Sequence, residues 1–325
     1  MSQTIKPLRA SSILQALITL VLLLSIFSTD IYAADTAERP ENDPGHILVS
    51  IKPLYSLVAH LTEGVSTPVL LMKQPQSPHH YNMRPSERQL LSNARIIVWL
   101  GPQMESYLSK IIQQQETAVV ITALHADNLK LLSRRKNHSH DEHSSTARIK
   151  PEPHMIDPHV WLSTQNAVAI SQQIAESLIT NDPVHAESYR NNLQLLLDKI
   201  EQTKNFITTT LNGNHQAFIA FHDAFQYFEE ENGLNYIDSV NDDDEAGTSL
   251  KRVRQIKHHI EEENIQCLVY QDPRPALIDS LTKQTSIRTT ALDPLGLNVK
   301  NDKNAWFDIM RQLAVNFSEC LGSQV

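Results

Sequence analysis

Short runs of apolar residues alternate along the chain with stretches in which apolar residues recur every three or four positions. The first pattern is typical of buried strands and the second of amphipathic helices, and their alternation favours parallel sheets covered by helices. Pro53, Pro85 and Pro102 are expected to open helices. Strands are predicted at residues 46–51, 67–72, 96–101 and 118–123 of the first half and at 216–221, 235–240, 267–270 and 289–292 of the second.

The longest helical pattern lies between the two halves, at residues 183–212. Asp182 precedes it in the position of an N-cap, Pro183 suits the first helical position, and Gly213 follows its end. Roughly thirty residues at 1.5 Å each would reach about 45 Å, which is longer than a helix within one lobe needs. A stiff helix joining two lobes is therefore predicted, with two helices broken near Thr203 as the alternative.

The first 33 residues have the pattern of a secretory signal peptide. Lys6 and Arg9 form a basic start, an apolar run extends over residues 13–27, and small residues stand at Ala33 and Ala34. Such a run is too short to cross a bilayer and ends at a plausible cleavage site. No cysteine lies near that site, so no lipid anchor is expected. The mature protein is predicted to be soluble in an exported compartment, most simply a Gram-negative periplasm.

Length then bounds the organisation of the mature chain. The remaining residues, about 290, exceed what a single core usually supports and suggest two domains. We predict an N-terminal α/β lobe at residues 34–182, a linking helix at 183–212 and a C-terminal α/β lobe at 213–325. The fold class is therefore two Rossmann-like lobes, each with a parallel sheet.

Composition and charge exclude several function classes. The formal net charge is -9, and removal of the leader would make the chain more negative, which disfavours nucleic acid as a partner. The chain has only 8 glycines and no Gly-rich phosphate loop, so nucleotide chemistry is not expected. Cys267 and Cys320 are the two cysteines, and in an oxidising compartment they are predicted to form one disulfide.

Three histidines stand next to apolar runs in different parts of the chain. His79 follows the run at 67–72, His222 follows the run at 216–221, and His159 comes just before the apolar Val160–Leu162 segment. Each is expected at the end of a strand, and ligands of open α/β sheets bind at the carboxyl ends of strands. These three imidazoles are therefore candidates for one shared metal site.

A second group of histidines lies in a polar segment, residues 136–155, that has no apolar periodicity. Its surroundings are Ser, Asp and Glu, so these imidazoles are expected to be solvated. Such a segment can collect divalent metal with low affinity, although a polar linker without this role is the alternative. The candidate auxiliary ligands are His138, His140 and His143.

A resemblance to a known family rests on several motifs in order: S-P-H-H-Y, R-P-S, G-P-Q-M-E, D-P-H-V-W-L-S, F-H-D-A-F-Q-Y-F and L-D-P-L-G. Together they resemble the zinc-binding receptors of bacterial zinc ABC importers, whose wider group includes manganese receptors. The resemblance covers essentially the whole mature chain. It implies two α/β lobes joined by a rigid helix, with the metal between them, and His79, His159 and His222 as ligands.

The resemblance also suggests a fourth ligand and partners. Some relatives have an Asp two residues before an Arg-Pro element, and Asp272 stands two residues before Arg274. Other zinc receptors have no carboxylate there, and water or a first-lobe side chain completes the site. The implied role is a monomeric, non-enzymatic receptor that delivers Zn²⁺ to a membrane permease driven by a cytoplasmic ATPase.

Donor chemistry favours zinc over its rivals. Three imidazoles with at most one carboxylate suit tetrahedral Zn²⁺, whereas manganese prefers more oxygen donors, and manganese-type relatives usually have Glu in place of His222. A manganese receptor and a zinc hydrolase are the alternatives, but no H-E-x-x-H motif is present. Asp157 and Asp223 are candidates to orient the neighbouring imidazoles, or else to cap loops.

Overall fold

A computed structural model describes residues 47–73, 76–135, 155–241 and 248–322. The predicted signal peptide and the histidines of the polar segment lie outside these ranges. Within them, no helix is both long and apolar enough to cross a bilayer.

The first lobe has a four-stranded parallel sheet in the order β2-β1-β3-β4. The sequences of β1 and β3 are I-L-V and I-I-V-W, and all of these residues are buried. Continuous apolar runs of this kind are typical of parallel strands that are covered on both faces. The strands are β1 at Ile47–Val49, β2 at Val69–Leu70, β3 at Ile96–Trp99 and β4 at Val119–Thr122.

The second lobe repeats this architecture with the order β6-β5-β7-β8, again all parallel. The predicted disulfide is present between Cys267 in β7 and Cys320 in the last helix. It fastens that helix to the sheet. The strands are β5 at Ala217–His222, β6 at Asn235–Asn241, β7 at Cys267–Tyr270 and β8 at Arg288–Ala291.

Nine α-helices of the described ranges cover these sheets and join them. Ser163 and Ser249 cap two of them by accepting hydrogen bonds from Asn166 N and Arg252 N. The helices are α1 at Lys52–Leu61, α2 at Pro85–Asn93, α3 at Ser106–Gln113, α4 at Thr164–Asn181, α5 at Ala186–Leu211, α6 at Gln226–Asn232, α7 at Leu250–Glu262, α8 at Leu277–Thr282 and α9 at Ala305–Leu321.

The long helix α5 is continuous through Thr203, as predicted, and the alternative of two helices broken there is wrong. Its start differs from the prediction, because Pro183–His185 forms a separate 3-10 turn. The Asp182 side chain bonds His185 Nδ1 and the Tyr189 hydroxyl, each at 2.7 Å. Helix α5 packs against α1 and α4 of the first lobe and α9 of the second. One hydrophobic core therefore runs through both lobes.

Candidate metal centre

The three candidate histidines converge between the carboxyl ends of the two sheets. His222 is the last residue of β5, and His79 lies on the loop after β2. One ligand atom from each of His79, His159 and His222 lies within 4.8 Å of the others. The centroid of the His79 ring is 5.5 Å from that of His159 and 6.2 Å from that of His222. The centroids of His159 and His222 are 5.6 Å apart.

This arrangement is compatible with a small cation after a modest contraction. Zinc–nitrogen bonds of 2.0–2.1 Å in a tetrahedral site place the nitrogens about 3.3 Å apart. The imidazoles would therefore approach one another by up to about 1.5 Å. His159 and His222 are 6 % and 5 % exposed, and His79 is half-buried. A cavity of about 80 Å³ lies among them.

His159 is held by the carboxylate of Asp157. Asp157 Oδ1 lies 2.7 Å from His159 Nδ1 and accepts a hydrogen bond from His159 N at 3.0 Å. A carboxylate on Nδ1 fixes the ring and directs Nε2 at the metal, as is common for metal-bound histidine. Of the two orientation roles predicted for aspartates, this geometry provides the one at Asp157.

The local setting of His159 differs from the prediction. Residues 155–158, the described residues directly before it, form no strand; Ile156 makes an isolated antiparallel bridge with Ser133, and a 3-10 turn at Val160–Leu162 follows. Trp161 is fully buried, and its indole Nε1 donates to Pro294 O at 2.8 Å. The apolar residues after His159 therefore anchor a turn in the core instead of forming a strand.

Asp223 is bonded to Arg135, and the structure describes no bond from it to an imidazole. Arg135 Nη1 lies 2.7 Å from Asp223 Oδ1, and Nη2 lies 2.5 Å from Glu229 Oε2. Burial raises the pKa of Asp223 to about 6, while the Arg135 charge acts in the opposite direction. One guanidinium thus pairs with both Asp223 and Glu229.

The acidic run at 229–231 is not solvated along its whole length. Glu229 is 2 % exposed, and Glu231 accepts hydrogen bonds from Thr164 N and Thr164 Oγ1. Glu229 follows the buried Phe225 by four residues, so helical periodicity could have placed it on the inner face. The second acidic run, at 242–245, lies outside the described residues.

The structure does not bring Asp272 into the histidine group. Its side chain is exposed and lines a neighbouring cavity of about 280 Å³, which His222 also lines. Its role as fourth ligand stays a prediction. The auxiliary histidines His138, His140 and His143 lie outside the described ranges, and their role stays a prediction as well.

The chain is similar to known zinc-uptake proteins over most of its length. Residues 47–320 match the family described as "Zinc-uptake complex component A periplasmic". The "High-affinity zinc uptake system protein ZnuA" of Brucella abortus (strain 2308) is 30% identical over 305 residues, covering 85% of this chain and 91% of the relative. The protein of the same name from Haemophilus ducreyi is 31% identical over 288 residues, covering 85% and 93%.

Solved structures share the fold. "Crystal structure of ZnuA" has a TM-score of 0.71 at 20% identity, covering 86% of this chain and 99% of that one. The solute-binding protein FpvC of Pseudomonas aeruginosa, solved with Mn²⁺, also has a TM-score of 0.71, at 16% identity and 85% and 98% coverage. The family match spans both lobes and all three histidines. This chain therefore belongs to the ZnuA family of periplasmic zinc-uptake components.

Proposed function

We propose that this chain is a periplasmic receptor that captures Zn²⁺ between its two lobes and delivers it to the permease of a zinc ABC importer. The observation that carries the proposal is the convergence of His79, His159 and His222 within 4.8 Å. The relatives from Brucella abortus and Haemophilus ducreyi are named as proteins of a high-affinity zinc uptake system. No bond is made or broken in this role; the ion is cargo.

Zinc is favoured because the group consists of imidazole nitrogens. Manganese and other hard cations prefer oxygen ligands, and the carboxylates nearest the group are engaged elsewhere. Asp223 and Glu229 pair with Arg135, and Asp157 binds the far nitrogen of His159. The same engagement disfavours a hydrolase, since a general base would have to be free to activate water.

Several finer points belong to the same proposal. A cleaved leader at residues 1–33 would export the chain, which would act as a monomer without a lipid anchor. The lobes would comprise residues 34–182 and 213–325, joined by the helix at 183–212. Asp272 would enter the group as fourth ligand, with water as the alternative, and His138, His140 and His143 would raise the local zinc supply.

The test is metal analysis combined with titration. Protein purified from its native periplasm should contain zinc, and calorimetric titration of the metal-free protein should give one tight site. His79→Ala, His159→Ala and His222→Ala should each weaken that site strongly, whereas Asp272→Ala separates a carboxylate ligand from water. Retention of tight zinc binding by all three histidine variants would refute the proposal.

A further inference from the structure

The segment that carries His159 makes several buried side-chain bonds to the second lobe, although it precedes that lobe in the chain. Tyr227 of α6 is the first link. Its hydroxyl accepts a hydrogen bond from Leu132 N at 3.1 Å and donates one to Asp157 O at 2.7 Å. Leu132 and Asp157 lie on either side of residues 136–154 in the chain. Tyr227 itself is 2 % exposed. One buried hydroxyl thus holds both sides of the His159 segment.

Arg135 is the second link. Its guanidinium bonds Asp223, which is next to His222, and Glu229 on α6. It also lies over the ring of Tyr236 in β6, 3.7 Å from the centroid. All three partners belong to the second lobe. Two ion pairs and a cation–π contact therefore hold Arg135 against the part of the second lobe that surrounds His222.

Residues after His159 continue the attachment. Trp161 Nε1 donates to Pro294 O, and Trp306 Nε1 donates to Trp161 O, both at 2.8 Å. A bond also connects the segment to the first lobe: Arg134 Nη2 donates to Gln103 O at 3.2 Å, but this guanidinium is exposed. Exposed contacts contribute little compared with buried ones. Lys130, further upstream, is bonded in both directions to Asn166 of the first-lobe helix α4. The buried side-chain bonds nearest His159, from Tyr227 and to Pro294, nevertheless tie it to the second lobe.

His79 has a different anchorage. The loop that carries it continues into Tyr81, whose hydroxyl donates to Glu87 Oε1 at 2.6 Å, and Arg84 N donates to Glu87 Oε2 at 2.7 Å. Glu87 lies on α2 of the first lobe, so the bonds after His79 hold its loop to that lobe. His79 is therefore held by the first lobe, whereas His159 and His222 are held by the second.

We propose that Tyr227 and Arg135 are positioning residues that mount the His159 segment on the second lobe. His159 and His222 then form a pre-assembled pair, and His79 is the ligand that the first lobe adds when the ion is enclosed. This inference rests on the proposed function, because it concerns the same zinc ion. It predicts that the pair alone retains weak zinc affinity whose strength depends on Tyr227.

The experiment measures the zinc affinity of Tyr227→Phe in three backgrounds: wild type, His79→Ala and His159→Ala. Calorimetric titration with Zn²⁺ on the full mature chain should show that Tyr227→Phe weakens binding about 10- to 100-fold in the wild type, as supporting residues of metal ligands do. The same factor should persist with His79→Ala, because His159 and His222 remain. It should vanish with His159→Ala, because Tyr227 acts through that residue.

Tyr189→Phe is the matched control, since it also removes a buried tyrosine hydroxyl bond, here to Asp182. It should leave zinc affinity unchanged in every background. Arg135→Lys keeps the charge but cannot bond two carboxylates with a planar fork, so it should change zinc affinity in the same pattern as Tyr227→Phe. If Tyr227→Phe does not fold, Arg135→Lys takes its place in the experiment. The inference is overturned if the factor disappears with His79→Ala or persists undiminished with His159→Ala. Absence of tight zinc binding in the wild type would instead reject the proposed function.

Discussion

At the scale of single residues, the centre depends on bonds that stop the imidazoles from rotating. Asp157 bonds both the ring and the backbone nitrogen of His159, and Tyr227 holds the carbonyl of the same aspartate. A ring fixed in this way loses little rotational freedom when it binds an ion. The affinity of the site should therefore depend on residues that never contact the metal.

Asp157→Asn tests this dependence directly. An amide has the shape of the carboxylate but lacks its charge. That charge strengthens the hydrogen bond from His159 Nδ1 and makes Nε2 a more basic ligand. Zinc affinity should fall about 10- to 100-fold in a competition titration with a chromophoric chelator. Asp182→Asn is the control, because it alters another Asp–His pair of 2.7 Å outside the centre. Equal affinities for Asp157→Asn and the wild type would show that the bond has no effect on binding.

The sequence predicts the three histidines but not what supports them. His79 and His222 could be found because apolar strands precede them, and His159 because apolar residues follow it. Arg135 could not, because its partners lie 88 and 94 positions further along the chain. A charge in a polar stretch looks the same whether it is solvated or paired in the fold. Only the three-dimensional arrangement distinguishes the two cases.

At the scale of elements, all eight predicted strands are present, and their ends differ by no more than three residues. Strands buried on both faces are easy to recognise, since their apolar runs are continuous. The helix expected to open at Pro102 instead begins at Ser106. Gly101 O accepts hydrogen bonds from Met104 N and Glu105 N, so a tight turn occupies this stretch before the helix starts. Proline suits such a turn as well as a first helical position.

Glu105 joins β3 to α3 in this turn and gives the stability of the first lobe a dependence on pH. It is fully buried, and Oε2 accepts a hydrogen bond from Leu100 N at 2.7 Å. Burial raises the pKa of Glu105 from 4.5 to about 7. The folded chain therefore holds a proton that the unfolded chain releases. Between pH 4.5 and 7 this group should reduce stability as the pH rises, by about 3 kcal/mol in total.

Glu105→Gln removes the ionisable group and keeps an acceptor for Leu100 N. Calorimetric unfolding should find the variant more stable than the wild type at pH 8, with the difference shrinking towards pH 4. Glu63→Gln is the control, because an ion pair with Lys303 lowers the pKa of Glu63 and the sign should reverse. A difference between wild type and Glu105→Gln that does not change with pH would contradict the assignment.

At the scale of the whole molecule, the two lobes share one core but contribute different ligands. Helix α5 packs against helices of both lobes, and Lys52 at the start of α1 donates to the carbonyls of Gly296 and Val299. These contacts hold the back of the cleft closed. At the front, His79 faces His159 and His222 across a gap that a cation can bridge. A bound ion would therefore add a link between the lobes at the carboxyl ends of their sheets.

Zinc should accordingly stabilise the whole fold and not only the site. A ligand that binds the folded state alone, at a free concentration 100 times its dissociation constant, adds about 2.7 kcal/mol. For a chain of this size, that corresponds to a rise of roughly 4 to 5 °C in the unfolding midpoint. The rise should be small with His222→Ala, because this variant loses one of the three converging imidazoles. Differential scanning calorimetry with and without zinc measures it, and Mn²⁺ at the same concentration serves as the control. A rise that survives His222→Ala would mean that zinc acts somewhere other than this centre.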